Sequence, residues 1–254
     1  MSPPVVLKAA PEGVREDLDV TFFVPCLNEE KHVSATVETV IAAIGEFPLT
    51  YEIIVVDDGS SDSTSAIVAD LCQANPKLPL LLKRNPCNYG LARSFLDSAF
   101  NGRGRYYRLI CGDNIEPKDS MVAVLQHMGE ADIIMPYYPN LPGKSVVGRI
   151  LSKAYNGLVN LISGHQIRYY NGNPLYRRHH VMRWAPHNNG FGYQADLITQ
   201  LLDQKATYLE IPISGMHRPK AGKSLKPGNL MSVAHSLLEI ALRRLRRLIF
   251  SSTK

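Results

Sequence analysis

Three short stretches concentrate the residues able to do chemistry: PCLNEE at 25–30, DDGSSDST at 57–64 and CGDNIEP at 111–117. Each mixes carboxylates with Asn, Ser or Gly, and each ends an apolar run. Together Asn28, Glu29, Asp57, Asp58 and Asp113 make an acidic, hydrogen-bonding set. Carboxylates suit the hydroxyl donors of a ribose and the amide or imide groups of a base. Asp113, beside Asn114, suits a hard divalent cation that would neutralise a diphosphate. Taken singly, Asp58-Gly59-Ser60 reads equally well as a turn, and Ser61/Asp62 as a helix cap. The repetition at three strand ends is what points to a binding crevice.

Such a crevice needs strands that end side by side. In open α/β sheets ligands sit outside the carboxyl ends of the strands. DVTFFVPC gives a short apolar β-rich run, and YEIIVVDD has the continuous apolar character of a strand buried on both faces. Between them, Val33, Val37, Val40, Ile41 and Ile44 keep helical spacing within residues 29–45. SDSTSAIVADLCQA places Ser and Asp caps before another amphipathic helix. LPLLLKR, a helix from about Leu91 to Phe100, RYYRLIC, a helix from Pro117 to Met128 and ADIIMP continue the alternation. This rhythm predicts an α/β fold with a mostly parallel, Rossmann-like sheet flanked by helices. Beyond residue 140 it loosens into a helix near 148–162, an irregular stretch at 171–174, a helix at 193–204, the strand TYLEIPI, a basic loop and a last helix over 230–250. The expected organisation is a flexible leader over 1–18, one domain over 19–229 and a C-terminal amphipathic helix within 230–254.

Composition narrows the classes. With 45% hydrophobic and 20% charged residues in 254, a sizeable core is expected. The net charge of +5 is compatible with phosphate-bearing substrates or an anionic membrane surface, and nucleic acid is not an expected partner. Cys26, Cys72, Cys87 and Cys111 form no CxxC pair, which argues against a disulfide framework or a zinc site and fits a reducing, cytoplasmic compartment. No apolar run has the length of a membrane span. No GxGxxG follows the first strand and no GxxxxGK[ST] occurs, so neither a dinucleotide fingerprint nor a P-loop is present.

FFVPCLNEE, YEIIVVDDGSSDST, NYGLARS and CGDNIEP, in this order, resemble the nucleotide-sugar half of family-2 glycosyltransferases with the GT-A fold. Within that family the chain is most similar to the dolichol- or polyprenyl-phosphate sugar transferases. The resemblance implies an inverting, metal-dependent transferase with a UDP- or GDP-sugar donor and Mg²⁺ or Mn²⁺ as cofactor. It assigns nucleoside and donor contacts to Pro25, Leu27, Asn28, Glu29, Val56, Asp58, Asn88, Gly112, Asp113 and Asn114. Gly90 and Asn88 also read as a tight turn and a helix cap. In the family's Asp-x-Asp position the first acid is Cys111 here, which leaves Asp113 as the metal carboxylate. GFGYQADLITQLL resembles the family's helix bearing Gln and an acid, which makes Gln194 and Asp196 catalytic candidates. Asp196 also reads as a charge favoured by a helix N-terminus. HRPKAGKSLK resembles a phosphate-clamping loop, with Arg218, Lys223, Ser224 and Lys226 toward phosphate or acceptor.

The acceptor divides the expectations. A lipid phosphate is already anionic and needs no strong general base, whereas a glycan hydroxyl requires a carboxylate to take its proton. A nucleotide-sugar binding subunit with weak catalysis is the third reading. In HSLLEIALRRLRRLIFSS, Leu238, Ala241, Leu242, Leu245, Leu248 and Ile249 form one stripe, opposite Arg243, Arg244, Arg246 and Arg247. A basic amphipathic helix reads as peripheral membrane contact through residues 237–250, or as a surface helix packed on the domain with its arginines in solvent.

Overall fold

The computed structural model describes residues 13, 15–139, 146–185, 192–213 and 227–251. The first half alternates strictly: β1 (Leu18–Cys26), α1 (Val33–Ile44), β2 (Tyr51–Asp57), α2 (Thr64–Ala74), β3 (Leu80–Arg84), α3 (Leu91–Asn101), β4 (Gly104–Leu109), α4 (Lys118–Gln126) and β5 (Ile133–Tyr137). The second half adds α5 (Val146–Ser163), β6 (Leu175–Arg177), α6 (Arg178–Met182), α7 (Tyr193–Asp203), β7 (Tyr208–Pro212) and α8 (Pro227–Ser251).

The strands form one sheet of order β3-β2-β1-β4-β6-β5-β7. β1 pairs in parallel with both β2 and β4, so the order reverses at β1. That switch point is where an open α/β sheet leaves a crevice. The continuous apolar run of β2 is explained by its two buried faces. Ile53 and Val55 enter one core with Val33, Val37 and Val40 of α1 and Met121 and Val124 of α4. Ile54 and Val56 enter the other core with Phe95 of α3, Leu197 and Ile198 of α7, and Ile240 of α8. Each such aliphatic side chain contributes about 1.5–3 kcal/mol by leaving water.

Three features depart from the sequence reading. The short β6 was not expected, and it runs antiparallel to both β4 and β5, wedging them apart. Residues 15–17 of the expected leader are held: Arg103 pairs with Asp17, Arg178 donates to the Arg15 carbonyl, and His179 lies 3.4 Å from Glu16. The third lies in α8 and departs only from its reading as a packed surface helix with arginines in solvent. Periodicity separates its leucines from its arginines correctly, but Arg243 turns inward while Leu238, Leu242, Leu245 and Ile249 are exposed. Buried acids on α7 reverse the usual orientation of an amphipathic helix.

Candidate functional site

The loops after β1 and β2 are sewn together before any ligand arrives. Asn28 adopts a left-handed backbone with φ +58°. Its N–H donates to Ser60 Oγ at 2.9 Å, and its side-chain oxygen accepts from the Ser61 N–H at 2.9 Å. The Glu29 N–H donates to Thr64 Oγ1 and the Glu30 N–H to Asp62. Asp57 accepts from the Ser60 N–H and from the Ser65 hydroxyl. The polar residues of PCLNEE and DDGSSDST therefore first satisfy each other's backbones. Leu27 stands exposed at this edge and Pro25 is half-buried. Val56 is buried in the second core, so its side chain is withdrawn from any nucleoside.

Asp58 organises a third loop. One of its oxygens accepts from Asn85 Nδ2 (2.7 Å), the Tyr89 N–H (3.0 Å) and Ser94 Oγ (3.1 Å), and the other accepts from the Gly90 N–H (3.1 Å). A carboxylate offers about four lone-pair sites, so Asp58 is largely engaged in latching the 85–90 segment to β2. Asn88 likewise turns onto the Gly90 N–H at 2.8 Å, the local role its type allows. Gly59, at φ +82°, could not be replaced: a Cβ there would lie 2.8 Å from the Cys87 carbonyl carbon.

At the end of β4, the Cys111–Glu116 segment crosses over β1. Gly112 lies so close that a Cβ would stand 2.7 Å from Cys26 Sγ and 2.8 Å from the Pro25 oxygen. The Gly112 carbonyl accepts from Thr36 Oγ1 at 2.9 Å. Burial, followed by Glu29, Asp57, Cys111 and Asp113, drives the Cys26 thiol far above its ordinary pKa. Glu29 borders the Gly112 turn, and Asp57 pairs with Cys26 in the neighbouring strand. Asp113 is half-buried there. Asn114, at φ +53°, gives its oxygen to Thr39 Oγ1 of α1 at 3.1 Å, so it is turned to α1 as a loop anchor. Behind the loop, fully buried Arg108 pairs with buried Glu116 at 2.5 Å. Burial raises the Glu116 carboxyl above its usual range, opposed by the Arg108 charge.

Among the described residues no group of three His, Cys, Asp or Glu side chains could hold a metal ion. A hard cation that leans on substrate phosphates would find one carboxylate here, Asp113, while the neighbouring Cys111 thiol, 3.6 Å from the Asn173 side-chain amide, is too soft a donor for it.

Gln194 and Asp196 both fall in the first turn of α7, yet they face different partners. Gln194 Nε2 donates to Asn173 Oδ1 at 2.9 Å, which links it through Asn173 to Cys111. Asn173, at φ +51°, lies in the irregular 171–174 stretch and was not itself a candidate on the sequence reading. Asp196 instead accepts from Trp184 Nε1 at 2.9 Å and pairs with Arg243 at 2.7 Å. One oxygen is committed to Arg243 of α8 and the other to Trp184, which removes Asp196 as a base facing an acceptor. Arg218, Lys223, Ser224 and Lys226 lie outside the described residues.

A basic recess was also missed. Beyond the carboxyl end of β5, a cavity of about 200 Å³ is lined by Tyr137, Tyr138, Lys153, Asn156, Arg168 and Tyr169. Arg168 stacks 4.7 Å above the Tyr137 ring and lies 3.8 Å from Glu210. Lys153, one turn into α5 from Arg149, carried no motif that would have singled it out.

The Glycosyl transferase family 2 profile matches residues 21–207. Dodecaprenyl-phosphate galacturonate synthase of Rhizobium johnstonii is 31% identical over 158 residues, 61% of this chain and 46% of that protein. A dolichyl-phosphate β-glucosyltransferase of Trichomonas vaginalis is 23% identical over 248 residues, 87% of this chain and 70% of that protein. The chain thus spans about half the length of the first relative. Among solved structures, mannosyl-3-phosphoglycerate synthase from Rubrobacter xylanophilus superposes with a TM-score of 0.68 at 17% identity, covering 91% of this chain and 74% of that one. Glucosyl-3-phosphoglycerate synthase from Mycobacterium tuberculosis, in complex with Mn²⁺, UDP-glucose and phosphoglyceric acid, gives 0.64 at 17% identity, covering 89% and 80%. At such identity the likeness establishes the fold alone, which is of the GT-A type.

Proposed function

Because the chain belongs to glycosyl transferase family 2, we propose that it moves a sugar from a UDP- or GDP-sugar to a polyprenyl phosphate, with inversion and with Mg²⁺ or Mn²⁺. The observation that carries this reading is that the Gly112–Asp113 turn lies against Cys26 and Glu29, with Asp57 paired beside Cys26, where the sheet order reverses. Leu27 and Pro25 flank the base, and the latched 85–90 loop closes the nucleoside side. Asp113 would hold the metal together with the donor's diphosphate. When bound, the ion supplies the positive charge that stabilises the departing diphosphate. The buried Arg108–Glu116 pair keeps the Asp113 loop in place.

The acceptor side supports a phosphate rather than a hydroxyl. Asp196, the acid that would deprotonate a hydroxyl, is bound to Trp184 and Arg243. A lipid phosphate needs no such base. Lys153 and Arg168 would receive its charge in the cavity beyond β5. From there the phosphate oxygen attacks the anomeric carbon as the nucleoside diphosphate leaves in line. Transfer to a glycan hydroxyl and a weakly catalytic binding subunit are the competing readings. Calorimetry with UDP and GDP, with and without Mn²⁺, followed by transfer assays on detergent-dispersed undecaprenyl phosphate and on soluble glycans, decides between them. Metal-enhanced nucleotide binding with transfer only to the lipid phosphate is expected. Transfer only to glycan, or binding with no transfer, would replace the proposal.

A further inference from the structure

Ten of the fourteen large apolar side chains exposed among the described residues lie on just two helices, so their exposure is a patch and not scatter. α5 contributes Val147 (63% exposed), Ile150 (62%), Leu158 and Leu161 (76%), with Val146 and Leu151 beside them. α8 contributes Leu238 (56%), Leu242, Leu245 and Ile249. On α5 the spacing 147, 150, 154, 158, 161 keeps one face, opposite buried Asn156, Val159 and Ser163. On α8 the spacing 238, 242, 245, 249 does the same, opposite Ser236 and Ile240.

The two helices are fixed in this orientation by arginines. Arg243 is bound to Asp196 and to Asp203 at 3.1 Å. Arg247 pairs with Asp203 at 2.5 Å. Arg244 donates to the carbonyls of Leu161 (2.9 Å) and Ile162 (3.2 Å), and Arg247 to that of Ser163 (3.4 Å). Those carbonyls are among the last of α5, where a helix end carries unsatisfied acceptors and a partial negative charge. Arg243, Arg244 and Arg247 of α8 are thus engaged in holding α5 and α7, and Arg246 is exposed. The apolar faces of both helices are thereby turned outward.

We propose that the outward faces of α5 and α8 together form a membrane-docking surface that lies in the interfacial layer of an anionic bilayer. Charge argues for this occupant over a protein or a second copy. α5 contains no Asp or Glu, and Glu239 is the only acid in α8, while Arg149, Lys153 and Arg246 are exposed on the same helices. Aliphatic residues beside cations are the composition that inserts at headgroup level. Position argues the same way: α5 follows β5, whose carboxyl end carries the Lys153–Arg168 cavity. The inference deepens the lipid-phosphate reading and rests on it for the class of surface.

The test is co-sedimentation of the full chain with vesicles of phosphatidylcholine and phosphatidylglycerol in equal parts. Ile150→Glu and Leu161→Glu on α5, and Leu242→Glu on α8, should each weaken partitioning by roughly tenfold, since each removes one large side chain from the apolar layer. UDP binding and thermal unfolding should stay at parent values, because these side chains face away from the core. Parent-like sedimentation of all three variants would overturn the proposal. So would a dimer in light scattering that the variants dissolve without changing vesicle uptake, which would assign the face to a second copy. Transfer to detergent-dispersed lipid phosphate without vesicle association sinks the docking surface alone. Vesicle association lost in the variants, with no transfer to lipid phosphate by the parent, sinks the acceptor reading and leaves the docking surface standing.

Discussion

Around the ends of β1, β2 and β4, polar side chains tie loop to loop, whereas between α7 and α8 they tie helix to helix. Asp58 and Asp196 illustrate the contrast. Both are buried aspartates with their oxygens engaged, but Asp58 latches the 85–90 loop beside the ends of β2 and β3, and Asp196 anchors a helix whose other face is apolar. The first arrangement fixes loops at the strand ends and leaves Leu27 exposed there. The second leaves leucines facing outward. The same residue type thus orders loops in one half and a helical surface in the other.

That contrast breaks or sharpens on five variants. The largest effect is expected from Asp113→Ala, with transfer falling on the order of 10³-fold and metal-enhanced UDP binding lost, while urea unfolding stays near the parent. Arg243→Ala should do the reverse. It leaves buried Asp196 with Trp184 as its remaining side-chain donor and takes one of two arginines from Asp203, and destabilisation of about 3 kcal/mol in urea unfolding is expected with UDP affinity unchanged.

A pH series separates a third polar cluster. Burial, then the neighbouring His179, lowers His180 to about 4, with Arg177 and Arg183 lowering it further and Asp132 opposing them. A depressed folded pKa gives stability that is present above the unfolded value near 6.5 and is lost as pH falls toward 4. The drop over that window should be roughly 2–3 kcal/mol, read by thermal unfolding, and His180→Asn should flatten it. Asp58→Asn should cost about 2 kcal/mol, since one acceptor becomes a donor facing N–H groups, and weaken UDP binding by about tenfold through the freed 85–90 loop. Arg246→Ala, on the exposed side of α8, should change stability by less than about 0.5 kcal/mol. An Arg246 effect equal to that of Arg243 would erase the distinction between inward and outward arginines.

The parallel half of the fold was legible because IIVV, FFV and LLL runs admit little but strands covered on both faces. That the acids gather at the ends of β1, β2 and β4 was legible because they sit immediately after those runs. Partners were not legible. Nothing in DDGS announces that Asp58 closes on Asn85, Tyr89 and Ser94, because those contacts arise only when β3 pairs with β2. The spacing of α8 gave two faces but not which turns inward, since that depends on Asp196 and Asp203, some forty residues earlier. β6 was invisible because three residues carry no periodicity.

The placement of β6 has a consequence for how the protein is made. β4 and β5 are adjacent in sequence, yet they reach each other only through Leu175–Arg177. As the chain leaves the ribosome, the free edges of β4 and β5 therefore wait for a much later segment. Until it arrives, Tyr106, Tyr107 and Arg108 present unpaired backbone to any passing strand. Synthesis that stalls before residue 175 would leave a half-sheet with an open edge, and that intermediate is the one a chaperone would have to guard.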